Sequence, residues 1–214
     1  MTKVLILGAG GRIAKHAIDQ LIEETDIELT LFLRNAKRLG NIDSNRVSVT
    51  DGDVLDHLKL KEAVSGKDIV YANLAGEVDK MAMVIVEVMR EADVKRLIFI
   101  TTLGIYDEVP GAFGEWNKSM ISQYLGPYGK AAEIIENSGL DYTIIRPAWL
   151  TDYDEIDYET TQKGEPFQGT EVSRKSVAEL IVKLIQHPES GIKRSLGVNK
   201  PGTDADKPAF IKNS

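Results

Sequence analysis

Cysteine is absent from all 214 residues of the chain. Disulfides, thiolate nucleophiles and cysteine-held metals are thereby excluded, and the composition suits a reducing compartment. Histidine is almost as scarce. His16, His57 and His187 lie far apart on helix-like segments, and no spacing of His, Asp or Glu matches a zinc site. Neither a G-x-S-x-G elbow nor a G-x-x-x-x-G-K-[ST] loop occurs, so hydrolase and P-loop chemistries drop out. Long apolar runs are missing too. Lys3 followed by Val4-Leu5-Ile6-Leu7 imitates the start of a signal peptide, but the run is too short and no small-residue cleavage site follows it. There is no block of basic residues: 26 Lys and Arg face 33 Asp and Glu, a formal net charge of -7, which argues against a nucleic-acid or anionic-membrane surface. The expectation is a soluble cytoplasmic protein that meets a small-molecule substrate, with no nucleic acid and no membrane as partner.

Short apolar runs alternate with helical patterns at regular intervals, as repeated βαβ units around a parallel sheet require. Strands are expected at Lys3 to Leu7, Glu28 to Leu33, Arg46 to Thr50, Ile69 to Ala72, Arg96 to Thr101 and Tyr142 to Arg146, with a weaker one at Ser195 to Val198. Helices are expected near Gly11 to Glu24, Leu55 to Val64, Asp79 to Ala92, Lys130 to Ser138 and Ser176 to His187, the fourth closed by Gly139. All connections then read as right-handed crossovers. The fold class is α/β, a doubly wound parallel sheet in three αβα layers. No linker or repeat divides the chain, so residues 1 to 214 read as one domain with a small C-terminal substrate region. The least regular stretches, Asp107 to Gly129 and Thr151 to Gly169, follow strand ends at the edge where such sheets bind ligands.

The most specific signal is the first turn. Val4-Leu5-Ile6-Leu7 breaks into Gly8-Ala9-Gly10-Gly11-Arg12-Ile13-Ala14 and then into a helix whose Ala14, Ala17, Ile18, Leu21 and Ile22 share one face. Position 13 holds Ile instead of the third glycine of G-x-G-x-x-G; Gly8, Gly11 and Ala14 fit G-x-x-G-x-x-G/A instead. Gly8 makes the sharp turn, Gly10 and Gly11 leave room for a pyrophosphate, and the amides and dipole of the helix N-terminus attract it.

Further candidates follow each strand. Arg34, directly after the second, stands where an acidic residue would accept from a free ribose 2′-hydroxyl; a guanidinium suits a 2′-phosphate, so NADP is favoured over NAD. Arg12, Lys37 and Arg38 either add charge there or are solvated surface cations. Asp53 and Val54 offer a carboxylate and an amide to the adenine edge, unless Asp53 caps the helix near Leu55. Asn73, Ala75 and Gly76 form a small-residue turn where a cofactor sugar can lie against backbone. Thr101 and Thr102 end the fifth strand, where a hydroxyl can reach an acceptor. Lys130 opens a helical pattern within reach of the nicotinamide ribose, an unfavourable site for a cation unless something compensates. Pro147 and Trp149 follow the sixth strand with a rigid turn and an indole.

Together, Gly8 to Ala14, Leu33-Arg34-Asn35, Gly52-Asp53-Val54, Lys130-Ala131-Ala132-Glu133, Ser138 to Pro147 and Val172-Ser173-Arg174 make the chain similar to the atypical short-chain dehydrogenase/reductases, in the NAD(P)H-binding group of the biliverdin reductase B (flavin reductase) and NmrA-like proteins. The resemblance implies an NAD(P)-binding Rossmann fold. It departs at the acid. The typical Tyr-x-x-x-Lys would place a tyrosine at 126, where Gly126 stands; Tyr124 and Tyr128 lie six and two residues before Lys130. Flavin or quinone reduction is less affected than carbonyl reduction, because a ring acceptor can draw its protons from water. The expected activity is hydride transfer from NADPH to a flavin, quinone or small carbonyl, with Thr102, Lys130 and Tyr128 as the candidate catalytic residues. The alternatives are a non-catalytic NADP sensor acting on a protein partner and, further off, a nucleotide-sugar epimerase or dehydratase.

Overall fold

The computed structural model describes residues 1–40, 42 and 44–211. Its main sheet contains, in chain order, β1 (Lys3–Leu7), β2 (Glu28–Leu33), β3 (Val47–Asp51), β4 (Ile69–Ala72), β5 (Arg96–Ile100), β6 (Asp141–Pro147), β8 (Glu159–Gln162) and β10 (Arg194–Asn199). They are arranged β3-β2-β1-β4-β5-β6-β10-β8, and β7 (Trp149–Thr151) pairs with β9 (Glu171–Ser173) in a second small sheet. Every neighbouring pair in the main sheet is parallel except β8, which runs antiparallel beside β10. The expectation that all connections are parallel crossovers therefore fails at this one edge. The three-residue strands β7 and β9 are too short to show a period in sequence.

Helices cover both faces. α1 (Arg12–Glu24) and α5 (Arg174–Gln186) lie on one; α2 (His57–Val64), α3 (Val78–Glu91) and the C-terminal half of α4 (Gly111–Glu136) lie on the other. The alternation within β1 shows why two layers are needed: Val4 and Ile6 enter the core with Ala17 and Ile181, whereas Leu5 and Leu7 enter the core with Ile85 and Ala132. Each such side chain contributes ~1.5–3 kcal/mol on burial. Among the described residues no helix is long and apolar enough to cross a membrane.

Most of the stretch read as irregular between Asp107 and Gly129 is helix. α4 starts at Gly111 and runs 26 residues, with non-helical torsions at Ile121 and with Pro127 inside it. Four glycines and a proline hid it, since each weakens helix propensity. Packing overrides that propensity: Phe113 and Asn117, one turn apart, are buried at its N-terminal half, and Ala131, Ala132 and Ile135 are buried at its other end. The two halves serve different cores, so α4 crosses over the C-terminal edge of the sheet. Gly114 permits the crossing, because a Cβ there would lie 2.0 Å from the carbonyl oxygen of Val109. The helix ends on Asn137, with Gly139 at φ +76 turning the chain into β6. α2 likewise starts later than expected, at His57, capped by Asp56 and not by Asp53.

The loop between β5 and α4 is held by a buried charge pair. The Arg146 side chain on β6 is fully buried, that of Glu108 is 4% exposed, and the two are bonded directly. Glu108 also accepts from the amides of Gly104 at 3.0 Å and Tyr106 at 2.9 Å, and Arg146 Nε donates to Ser195 Oγ at 3.1 Å. The Tyr106 hydroxyl donates to Glu136 at 2.8 Å, and burial holds the phenol far above its ordinary pKa.

Two substitutions test this account. Glu108→Ala leaves a buried guanidinium without its counter-charge and is expected to cost about 3–5 kcal/mol in urea denaturation; a loss below about 1 kcal/mol would contradict the role given to the pair. Gly114→Ala ordinarily favours a helix by roughly 1 kcal/mol. Here a lowered melting temperature is expected, because the methyl group meets the Val109 carbonyl.

Candidate functional site

The parallel order reverses between β1 and β4, and the chain leaves these neighbouring strands on opposite sides of the sheet. That divergence opens a crevice at their C-terminal ends. Two clefts fill it. The first, about 280 Å³, is lined by Gly8, Gly10, Gly11, Phe32, Leu33, Arg34, Arg38, Gly52, Asp53, Val54, Asn73, Leu74, Ala75 and Met81. The second, about 430 Å³, is lined by Ile13, Asn73, Leu74, Ala75, Ile100, Thr101, Thr102, Leu103, Ile121, Tyr124, Tyr128, Pro147, Ala148, Trp149 and Leu150. Asn73, Leu74 and Ala75 belong to both, so the clefts are continuous.

In the first cleft the glycine turn is shaped by Asn73. Gly8 has φ +75, and a Cβ there would lie 2.1 Å from the Asn73 carbonyl oxygen; a Cβ on Gly11 would lie 2.1 Å from Asn73 Nδ2. Gly11 thus makes room for a neighbouring side chain as well. Gly10 is the more open position, with a Leu33 methyl group at 3.2 Å as its nearest contact. Gly11 is also the N-cap of α1 and has no side-chain cap, so amides of the first turn remain for an anion. The cradle fits a pyrophosphate on those grounds.

Around the far end of that cleft, Arg34 is 72% exposed and 3.8 Å from Asp53, a contact too solvated to hold it in place. Arg38 joins Arg34 in the lining, whereas Lys37 does not. Asp53 accepts from the Leu55 amide at 3.0 Å and leaves its second oxygen toward Arg34. Val54 is in the lining, and Gly76 lies outside both clefts with φ +98. The Arg12 guanidinium is bonded to Asp152, which also takes Arg174 at 2.8 Å, so Arg12 is not among the cations of this cleft.

Among the described residues, none that lines the second cleft is Lys, Arg, His, Asp or Glu. Trp149 packs 4.7 Å from Trp116 and donates from Nε1 to Asn117 at 2.9 Å, which fixes the indole beside Pro147. The Thr101 hydroxyl is committed to the Ile145 carbonyl at 3.1 Å; that of Thr102 makes no hydrogen bond among the described residues. Tyr124 and Tyr128, four residues apart on α4, both face the cleft, as helical spacing dictates. The Tyr128 hydroxyl donates to the Leu74 carbonyl at 3.0 Å, and burial raises its pKa above the ordinary value. Lys130 is elsewhere. It lies well inside α4, not in a first helical turn, and bonds Glu133 at 2.9 Å in solvent, so the structure does not bring it together with Tyr128 or Thr102.

Sequence reasoning missed the lining contributed by Leu103, Ile121, Tyr124 and Leu150. For Tyr124 the signal was present: its i, i+4 spacing to Tyr128 needed only the earlier start of α4. Within the described residues, His57, Glu87 and Glu91 form the single cluster with metal-ligand geometry, on α2 and α3 away from both clefts, and Lys61 already pairs with Glu91 at 2.7 Å.

Comparison with known proteins agrees with this geometry. A Rossmann-fold NAD(P)-binding family protein from Shigella flexneri is 48% identical, with a TM-score of 0.85 over 99% of this chain and 100% of its own. A short-chain dehydrogenase/reductase from Veillonella parvula, solved in complex with NADP, is 31% identical with a TM-score of 0.93 over 98% and 99%. An anaerobillin reductase from Escherichia coli O157:H7, at 21% identity and a TM-score of 0.77 over 100% of both chains, shares the fold. The family model described as NAD(P)H-binding matches residues 8–188, and the chain belongs to that NAD(P)H-binding family.

Proposed function

We propose that the protein is an NADPH-dependent reductase that passes hydride to a small, largely apolar acceptor such as a flavin, quinone or carbonyl. The observation that carries this reading is the continuity of two unlike clefts, one glycine-lined and cationic at its far end, the other apolar and aromatic, joined at Asn73 to Ala75. The acceptor cleft favours a catalyst over a sensor that only binds the nucleotide.

In this reading the uncapped first turn of α1 takes the pyrophosphate, Arg34 and Arg38 take the 2′-phosphate, and Asp53 with the Val54 amide meets the adenine edge. A reduced nicotinamide, when bound, supplies the hydride. Pro147 and Trp149 form the wall beside the acceptor, and Ile121, Leu103 and Leu150 keep water from its faces. Thr102 offers its free hydroxyl to an acceptor carbonyl or ring nitrogen. Tyr128 ties α4 to the shared turn through Leu74, and its raised pKa keeps it a donor to that carbonyl across the neutral range. Most of the rate then comes from holding donor and acceptor in contact.

Titration of the pure protein with NADPH and NADH, followed by absorbance-monitored reduction of menadione, FMN and small aldehydes, tests the proposal. NADPH is expected to bind tighter, and Arg34→Asp to weaken it by at least about tenfold while NADH is spared. Tighter binding of NADH by the native protein would overturn the cofactor choice, and no turnover of any acceptor would overturn the activity. Tyr128→Phe loosens the tie between α4 and Leu74 and is expected to raise the acceptor KM by no more than about fivefold, with kcat within about twofold. A proton-donating tyrosine would instead lose about 10²–10⁴ in kcat.

A further inference from the structure

We propose that Asp51 is the positioning residue that sets the preference for a 2′-phosphorylated nucleotide. The inference rests on the cofactor reading above and names what makes it work. Asp51 ends β3 and pairs in register with Leu33, the last residue of β2; the Gly52 amide donates to the Leu33 carbonyl at 3.0 Å. From that anchored position its carboxylate reaches across to the next turn. One oxygen accepts from the Asn35 amide at 3.3 Å and the other from the Ala36 amide at 2.8 Å.

Those two amides belong to the segment that carries both cations of the first cleft. Arg34 immediately precedes Asn35. Arg38 sits on the 3-10 turn Ala36–Leu39, and its amide donates to the Asn35 carbonyl at 3.1 Å. Asn35 itself is left-handed, φ 57 and ψ 59, a conformation costly for most residues and eased for asparagine. No side chain caps the 3-10 turn from its own N-cap residue, so Asp51 supplies the cap from the neighbouring strand. Arg34, by contrast, is held by little else, since its own ion pair to Asp53 is long and exposed.

The sign of the charge makes the proposal decisive. A carboxylate close to a phosphate site repels the ligand, so as a bare charge Asp51 opposes NADPH. As the clamp of the Arg34–Arg38 segment it favours NADPH. Removing it separates the two effects in opposite directions.

Dissociation constants of NADPH, NADH, adenosine 2′,5′-bisphosphate and 5′-AMP are measured for the native protein, Asp51→Ala, Asp51→Asn and Arg34→Ala. Asp51→Ala is expected to weaken NADPH and the bisphosphate about fivefold, the scale of a lost cap, and to leave NADH and 5′-AMP within about twofold. The unchanged binding of NADH and 5′-AMP reports an intact fold. Asp51→Asn removes the same charge but keeps one acceptor oxygen, and is expected to fall between the native protein and Asp51→Ala. Tighter NADPH binding in both variants would mark Asp51 as a counter-charge and overturn the proposal, as would an unchanged ratio of NADPH to NADH. Arg34→Ala separates the two layers. If it collapses that ratio while Asp51→Ala does not, the positioning role alone is lost; if it leaves the ratio unchanged, the cofactor reading falls and the inference with it.

Discussion

The solvation of one guanidinium dictates the shape of the rim of the apolar cleft. Arg146 is the largest fully buried side chain, on a strand with neighbours on both sides, and an ion taken from water into such a place costs several kcal/mol unless it is met on every side. Glu108, the Ser195 hydroxyl and the Ser195 carbonyl meet it, and the Tyr106 ring lies 5.2 Å from its centre. Because Glu108 spends its remaining acceptor capacity on the Gly104 and Tyr106 amides, the same pair folds the loop after β5 back on the sheet. The Glu108 carbonyl accepts from Phe167, which brings in the stretch after β8. Thr102 and Leu103 reach the cleft from a loop whose course is set by a charge that never touches it.

The first cleft is organised by backbone instead. Gly8, Gly11 and Asn73 interlock at distances that tolerate no extra carbon, and the uncapped turn above them is left with amides to spare. Charge enters only at the far end, on the turn after β2. The result is a division of labour along one crevice: polar amides in the middle, cations at one end, and rings and aliphatic side chains at the other.

Much of this was legible in the residues. β1, β2 and β4 matched their apolar runs end to end, because strands buried on both faces read as continuous hydrophobic stretches. The glycine turn, Arg34, Asp53 and Asn73 were singled out because each follows a strand, and all of them line the first cleft. What escaped had physical causes. α4 looked irregular because glycines needed for close approach, such as Gly114, also lower helix propensity, and the misplaced helix start then put Lys130 in a first turn it does not occupy. The Arg12–Asp152 contact joins residues 140 apart, and no local pattern encodes it. β8 turned antiparallel at an edge where only β10 constrains its direction.

The turn Asn73-Leu74-Ala75 is the only segment among the described residues that both clefts share. Every other lining residue serves one pocket alone. Exchanges at Tyr124, Trp149 or Leu150 can therefore reshape the apolar cleft without touching the cationic one, and exchanges at Arg34 or Arg38 can do the reverse. A scaffold divided in this way can vary its two clefts separately, provided that the three-residue turn between them is left alone.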